Sequence, residues 1–172
     1  MKKSFLLLTL IVTFLLQSCI GWGTSGGDDI GQFSIYEPVI MQRSNFETTT
    51  TLDTNSRPIE NTGKIYVKDD YIFINEVNKG FYIINNTNPS NPINVGFINV
   101  LGASDLSIKG DVFYVNNATD LLAFTIDQSI GALNITKRLE NVFPQIWSPE
   151  GEIYYAIEEN EIIIDWQLTN NE

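Results

Sequence analysis

Hydrophobic and polar positions recur along this chain with a period of 41 residues. Three stretches are apolar at four consecutive positions, beginning at Tyr71, Val112 and Ile153, and each follows a polar turn that reads KDD, KGD or SPEGE. Successive side chains of a strand point to opposite faces, so such a run predicts a strand with both faces covered. Stacked sheets would cover both faces. The pattern therefore predicts an all-β fold built from repeated units.

Each repeat unit contains several predicted strands around these central ones. First strands are predicted at Ile65–Val67, Leu106–Ile108 and Gln145–Trp147, and second strands at Tyr71–Ile74, Val112–Val115 and Ile153–Ala156. Third strands are predicted at Phe81–Ile84, Leu121–Ile126 and Ile162–Trp166, and fourth strands at Ile93–Val100 and Ala132–Leu139. A period of about 40 to 45 residues with four short strands is typical of a β-propeller blade. A β-sandwich is the alternative, but a sandwich has no reason to repeat at a fixed spacing.

The third unit lacks an obvious fourth strand. Phe33–Met41 could supply that strand, and Pro38 would confine it to a sheet edge. A closed propeller needs about four blades or more, so we predict an incomplete or open β-propeller-like stack of about three antiparallel blades. Either its exposed edge is buried by association into a homo-oligomer, or the chain is a shortened relative of longer proteins. Ser44–Thr62 is predicted to be a surface loop.

The N-terminal segment has the features of an export signal. Lys2 and Lys3 precede an apolar run of twelve residues, Phe5–Leu16, which suits a secretory signal peptide and is shorter than the roughly 20 residues of a membrane span. Ser18 then precedes Cys19, the only cysteine. This end of the segment resembles a bacterial lipobox, which implies cleavage between Ser18 and Cys19 and acyl chains on Cys19. An ordinary signal peptide that leaves a free thiol is the alternative.

These features divide the chain into three parts. Residues 1–18 are the predicted lipoprotein signal peptide, residues 19–32 a flexible tether with five glycines, and residues 33–172 the β-repeat domain. Two or more acyl chains hold a protein stably on a bilayer. We therefore predict a lipid-anchored protein of the bacterial cell envelope, in the outer membrane.

Charge and composition narrow the classes of function. The net charge is −11, or −13 after removal of Lys2 and Lys3, and no basic block follows. Nucleic acid and anionic membrane surfaces are therefore poor partners. The chain has no histidine, and its one thiol is the predicted lipid attachment point, so histidine-activated nucleophiles and His/Cys zinc sites are excluded. We predict a protein that is not an enzyme and needs no metal or cofactor.

Acidic residues offer the remaining candidate chemistry. Asp70, Asp111 and Glu152 occupy one repeat position, which favours a role in the hairpin turns. The alternatives are a calcium site and the carboxylate pair of a glycoside hydrolase. Trp147 lies beside the loop 148–151 and is the predicted ligand contact.

The other candidate aromatic residues are Trp166, Tyr66 and Tyr82. They could form a binding platform with Trp147, but the repeat predicts that they pack between the blades.

The segment Phe81–Pro92 resembles the LVIVD repeat, in which an apolar strand precedes a turn with two prolines. The second unit retains Asp127 without the prolines, and the third retains Ile162–Asp165. The resemblance covers residues 36–166 approximately and implies a propeller-like envelope protein with no established enzymatic activity and no catalytic residues. We therefore expect a lipoprotein that presents a β surface to a protein or glycan. The alternatives are a carboxylate-dependent envelope hydrolase and a truncated relative with no independent role.

Overall fold

The protein is all-β, with three antiparallel sheets and one short helix in the part that the structure describes. The structure is a computed structural model that describes residues 35–127 and 131–169. The elements in chain order are β1 (Tyr36–Gln42), α1 (Arg43–Phe46), β2 (Thr51–Asp53), β3 (Thr62–Lys68), β4 (Tyr71–Glu76), β5 (Gly80–Asn85), β6 (Ile93–Asn99), β7 (Leu106–Lys109), β8 (Val112–Asn117), β9 (Asp120–Asp127), β10 (Ala132–Leu139) and β11 (Glu161–Leu168).

The first two repeat units each form one sheet. The first sheet has the strand order β2-β6-β5-β4-β3, and the second has the order β10-β9-β8-β7. Every predicted strand of these two units is confirmed within three residues. The strands form here because the segments are rich in β-branched and aromatic residues and are separated by turn residues.

The tight turns within the repeats confirm the period. Asp69, Gly110 and Gly151 have φ values of 52°, 58° and 83°, in the left-handed region, and they stand 41 residues apart. In the first two units this turn joins β3 to β4 and β7 to β8. Asp and Gly tolerate a positive φ better than most residues. The repeat is therefore a repeat of backbone conformation as well as of hydrophobicity.

The main core lies between the first and second sheets. One face of β4 and β5 supplies Phe73 and Phe81, and the facing side of the second sheet supplies Phe113 and Phe124. The Phe73 and Phe113 rings meet edge to face with centroids 5.1 Å apart, and Phe124 stacks on Phe113 at 5.4 Å. The prediction that apolar strands are covered by stacking of sheets is confirmed for these faces.

Two asparagines at one repeat position tie the first sheet to the second. The side-chain amide of Asn75 donates to the carbonyl of Ala103 at 3.2 Å, and that of Asn116 donates to the carbonyl of Gly102 at 2.9 Å. Gly102 and Ala103 belong to the connection between the sheets. Buried carbonyl groups need such partners. The two asparagines therefore fix the connection that sets how the sheets face each other.

The third sheet pairs the first described strand with the last. β1 runs antiparallel to β11, with Tyr36 opposite Leu168 and Pro38 opposite Trp166. The strand predicted at Phe33–Met41 is thus confirmed from Tyr36 onward, and its first residues lie outside the described part. Ile162 and Ile164 of β11 pack in a second core cluster with the helix residue Phe46 and others.

The first two strands predicted in the third unit were wrong. Gln145–Trp147 and Ile153–Ala156 form no strand, and among the residues of this unit up to position 169 only β11 pairs in a sheet. Ser148 closes a turn instead, because its N–H donates to the carbonyl of Glu152 at 2.9 Å and its Oγ accepts from the Glu152 N–H at 3.0 Å. Tyr155 is 76% exposed. Without a sheet to cover it, the apolar run gains too little burial to support a ladder.

The prediction of a surface loop at Ser44–Thr62 was also wrong in part. This segment contains most of α1 and all of β2, which pairs with β6 and adds a fifth strand to the first sheet. Phe46 of α1 is completely buried. Both elements are held by tertiary packing and pairing, and each is too short to produce a periodic pattern.

Candidate functional site

A cleft of about 850 Å³ lies between the first and second sheets, at the end where the β3–β4 and β7–β8 turns are found. Its volume falls within the range of about 300 to 1,000 Å³ that is usual for ligand pockets. The same stacking that forms the main core produces the cleft, because Phe73, Phe113 and Ile83 belong to both. The cleft thus lies at the point where two equivalent hairpins, β3–β4 and β7–β8, meet.

The floor of the cleft is apolar and aromatic. It is lined by Tyr71 and Phe73 of β4 and by Phe113 of β8, together with Ile83 of β5 and Leu52 of β2. A floor of this composition can receive the apolar part of a ligand and stack against planar groups. It is the part of the site that β-strands hold in place.

The rim of the cleft is acidic. The residues that line it include four carboxylates and one cationic side chain, which are Asp69, Asp70, Asp111, Asp127 and Lys68. The Asp111 side chain is 93% exposed at the end of its hairpin. Charges of one sign along a concave surface raise the local concentration of ligands of opposite charge. The rim therefore favours a cationic ligand.

Lys68 joins the two hairpins across the rim. Its ammonium group lies 2.7 Å from Oδ2 of Asp69 and 3.5 Å from Oδ1 of Asp111. The hydrogen bond with Asp69 raises the pKa of the Lys68 ammonium group above its usual value. Lys68 neutralises part of the acidic charge and leaves the rim with more carboxylates than cations.

The three acidic residues predicted to share a turn role do not form one cluster. Asp70 and Asp111 lie in turns, as predicted, and both line the cleft. Glu152 does not line the cleft. Within residues 35–127 and 131–169, no group of three or more acidic side chains is arranged to hold a metal ion. The described geometry therefore gives the calcium alternative no support.

The aromatic candidates occupy separate places. Trp147 is 57% exposed, just before the turn at Ser148, and it is not part of the cleft. Tyr82 is buried as predicted, and its hydroxyl donates to the carbonyl of Pro58 at 2.7 Å. The indole N–H of Trp166 donates to the carbonyl of Ile146 at 3.0 Å. These rings form no common platform.

Tyr66 contributes to the contact between the sheets. Its hydroxyl donates to Oδ1 of Asp105 at 2.6 Å, and Lys64 binds the other oxygen of the same carboxylate. Burial and this hydrogen bond raise the pKa of Tyr66 to about 12. Tyr66 is thus a structural residue that packs against the main core.

Cys19 and Ser18, the predicted lipidation and cleavage residues, lie outside the described part of the chain. The sequence prediction also missed Lys68, Asp69 and Asp127 as neighbours in one site. The repeat could have predicted this site, because polar turns at the same repeat position come together when equivalent hairpins stack.

No family model matches this chain, and no curated protein or solved structure is detectably similar to it. The resemblance to LVIVD repeats therefore stays a prediction. Among the described residues, no helix has the length and apolar character required to span a bilayer.

Proposed function

We propose that this protein is a non-enzymatic lipoprotein of the bacterial cell envelope, anchored through acyl chains on Cys19, which holds a protein or glycan ligand in the cleft between its first two sheets. The observation that carries this proposal is the cleft itself, with its aromatic floor and acidic rim. Concave, mostly apolar sites with a few polar groups are where proteins bind small ligands and peptide segments.

The charge of the rim favours one ligand class. Four carboxylates against one ammonium group attract lysine or arginine side chains, and Phe113 and Tyr71 below them can cover the methylene stems of those side chains. A neutral glycan could contact the aromatic floor, but the acidic rim would add little to its affinity. A cationic peptide segment is therefore the ligand that we propose.

The fold that we propose around this cleft is an open propeller-like stack of three units. The 41-residue turn spacing, the face-to-face packing of the first two sheets and the pairing of β1 with β11 support it. In a propeller, a strand from the start of the chain commonly completes the last blade. Here β1 would have that role.

Reversing one rim charge should weaken binding of a cationic peptide. We expect Asp111→Lys to lower the affinity for tetralysine about fivefold, because it removes one attraction and adds one repulsion at an exposed site. Isothermal titration calorimetry at low ionic strength would measure the change. Added salt should weaken binding to the unsubstituted protein, because it screens the rim.

Glu159→Lys is the matched control, since Glu159 is an exposed acid outside the cleft and gives the same change of net charge. An equal loss of affinity in both variants would overturn the cleft as the site. Binding of a neutral oligosaccharide but not of tetralysine would overturn the peptide as the ligand. Turnover of a glycan that is abolished by one Asp or Glu replacement would favour the hydrolase.

The lipid anchor makes a separate prediction. Cys19→Ala should move the protein from the membrane fraction to the aqueous fraction, because a stable attachment needs the acyl chains. Affinity for tetralysine should stay the same, since the cleft lies within the β domain. Cell fractionation and intact mass spectrometry would test this. A membrane-bound variant after signal cleavage, or an unmodified thiol in the native protein, would contradict the anchor.

A further inference from the structure

Lys68 lies in the cleft in the way that a lysine of a bound peptide would lie. Among the described residues that line the cleft it is the one cationic side chain, beside four carboxylates. It is paired with Tyr71 in the β3–β4 ladder, so the two side chains are neighbours on the face that lines the cleft. Lys68 therefore has an aromatic neighbour along its methylene stem and carboxylates at its ammonium group, as a long cationic side chain prefers.

The two carboxylates that Lys68 contacts come from different sheets. Asp69 follows it directly in the β3–β4 turn, and Asp69 Oδ2 lies 2.7 Å from the ammonium group. Asp111 belongs to the β7–β8 turn, and its Oδ1 lies 3.5 Å away. A separation of 2.7 Å is typical of a charge-assisted hydrogen bond, and 3.5 Å exceeds the usual range. The contact between the sheets is therefore the weaker of the two.

Exposure also makes the contact with Asp111 easy to exchange. The Asp111 side chain is almost fully exposed, whereas that of Lys68 is 26% exposed. An ion pair with so exposed a partner contributes little to the stability of the fold. It nevertheless places a positive charge beside the carboxylate that an incoming cationic group would use. Loss of this contact would thus cost the fold little and would free one carboxylate of the rim.

We propose that Lys68 is a built-in competitor for the cleft, whose ammonium group a cationic peptide must replace at Asp111 when it binds. Asp69 keeps its hydrogen bond with Lys68 during this exchange, because that contact is the shorter one and lies within the same hairpin. The inference rests on the proposed function, since it assumes that the cleft receives cationic side chains. It adds the residue that sets how strongly, and for which ligands, the cleft binds.

The exchange makes the cleft selective for ligands with several positive charges. A ligand with a single ammonium group replaces one cation by another at Asp111 and gains little. A segment with more lysine or arginine side chains also meets the other carboxylates that line the cleft, and each added attraction favours the bound state. Lys68 therefore discriminates against singly charged ligands, and tetralysine should bind more tightly than a single lysine amide.

The test is the affinity of the full chain for tetralysine, measured by isothermal titration calorimetry in nonionic detergent at low ionic strength. Lys68→Gln should raise this affinity about threefold, because it removes the competing charge. Lys68→Arg should not bind more tightly than the native chain, because it keeps the charge. Lys137→Gln is the matched control, since Lys137 is an exposed lysine of β10 outside the cleft and gives the same change of net charge.

A second background separates exchange at Asp111 from a general effect of charge. When the chain already carries Asp111→Asn, the carboxylate for which Lys68 and the ligand compete is absent. Lys68→Gln should then raise the affinity by less than it does in the native background. An equal gain in both backgrounds would overturn the exchange at Asp111, and so would an equal gain in Lys137→Gln.

The opposite result is expected if Lys68 only ties the two hairpins together. In that case Lys68→Gln would lower the melting temperature and the affinity, and this outcome would overturn the competitor. An unchanged affinity in a folded Lys68→Gln variant would overturn it too, and the cleft would remain a site for cationic peptides. Binding by neither the native chain nor Lys68→Gln would overturn the proposed function itself. Binding by Lys68→Gln alone would support both.

A measurement on the native chain does not depend on the folding of Lys68→Gln. In a protein labelled with ¹³C at lysine Cε, saturating tetralysine should shift the NMR signal of Lys68 and leave that of Lys137 in place. The two signals are assigned from their absence in Lys68→Arg and Lys137→Arg. A Lys68 signal that does not move at saturation would overturn the proposal.

Discussion

Phe113→Ala should lower the free energy of unfolding by about 4 kcal/mol, within the usual range for removing a buried aromatic ring. Phe113 is buried at the centre of the main core, where Phe73 meets it edge to face and Phe124 stacks on it. The substitution leaves a cavity between the two packed sheets. Because a domain of this size has only about 5 to 15 kcal/mol of stability, much of it would be lost.

Urea unfolding followed by circular dichroism would measure this loss. Tyr114→Ala is the matched control, since Tyr114 is the next residue of β8, is only partly buried and points to the opposite face. We expect it to cost about 1 kcal/mol. Equal effects of the two substitutions would contradict the assignment of the main core to the face that carries Phe113.

Asp120→Ala should cost about 3 kcal/mol of stability. The Asp120 carboxylate is completely buried and binds two guanidinium groups, that of Arg138 at 2.7 Å and that of Arg43 at 3.0 Å. Its Oδ1 also accepts the backbone N–H of Asn141 at 3.1 Å. Removing one partner of a buried ion pair leaves its partners unpaired, and this costs about 3 to 5 kcal/mol. We expect the lower value because both arginines keep some contact with solvent.

The contribution of Asp120 to the free energy of unfolding should decrease as the pH falls into the acid range. Burial alone would raise the pKa of the Asp120 carboxyl, but the hydrogen bonds from Arg138, Asn141 and Arg43 outweigh burial and hold the pKa below its usual value. A carboxyl whose pKa is lowered by folding stabilises the protein above its unfolded pKa of about 3.9. That contribution disappears as the pH falls through the lower pKa of the folded state.

The difference in stability between the native protein and Asp120→Ala should therefore be constant near neutral pH and shrink in acid. Urea unfolding at several pH values would measure it. Asp111→Ala is the control, because Asp111 is exposed and its replacement should change stability by less than about 0.5 kcal/mol. A difference that grows as the pH falls below 4 would contradict the role of the ionised Asp120.

Much of the first two sheets could be predicted from the sequence. Their strands are apolar runs bounded by turn residues, and the turns at Asp69 and Gly110 recur with the same period. Local pattern and tertiary packing agree there, because one face of the central strands of each sheet is buried against the other sheet. In the third unit the local pattern and the tertiary packing do not agree. Ile153–Ala156 has the same pattern but no covering sheet, so the pattern alone does not produce a strand.

Other features depend on contacts that no local pattern encodes. Phe46 packs with Ile162 and Ile164 of β11, which are far away in sequence, and β2 exists because it pairs with β6. The ion pairs of Asp120 join α1, β9 and β10. Prediction of these contacts would require the arrangement of the sheets to be known first.

The cleft was only partly predictable. The repeat predicts that Asp70 and Asp111 are equivalent turn residues, but the fact that both line one cleft follows from the stacking of two hairpins. The position of Trp147 beside a loop predicts a ligand contact, but the structure leaves Trp147 exposed and away from the cleft. Exposure of an aromatic residue in a loop was a weaker guide to the site than the repeat itself.

The pairing of β1 with β11 sets the order in which the newly made chain can fold. Gln42 and Glu161, which bond side chain to side chain at 3.1 Å, are 119 residues apart. At about 5 to 20 residues per second of synthesis, β1 waits on the order of ten seconds for its partner. The first two sheets need no such delay, because their strands pair with near neighbours. During that interval β1 is an unpaired strand, and an unpaired strand edge favours aggregation.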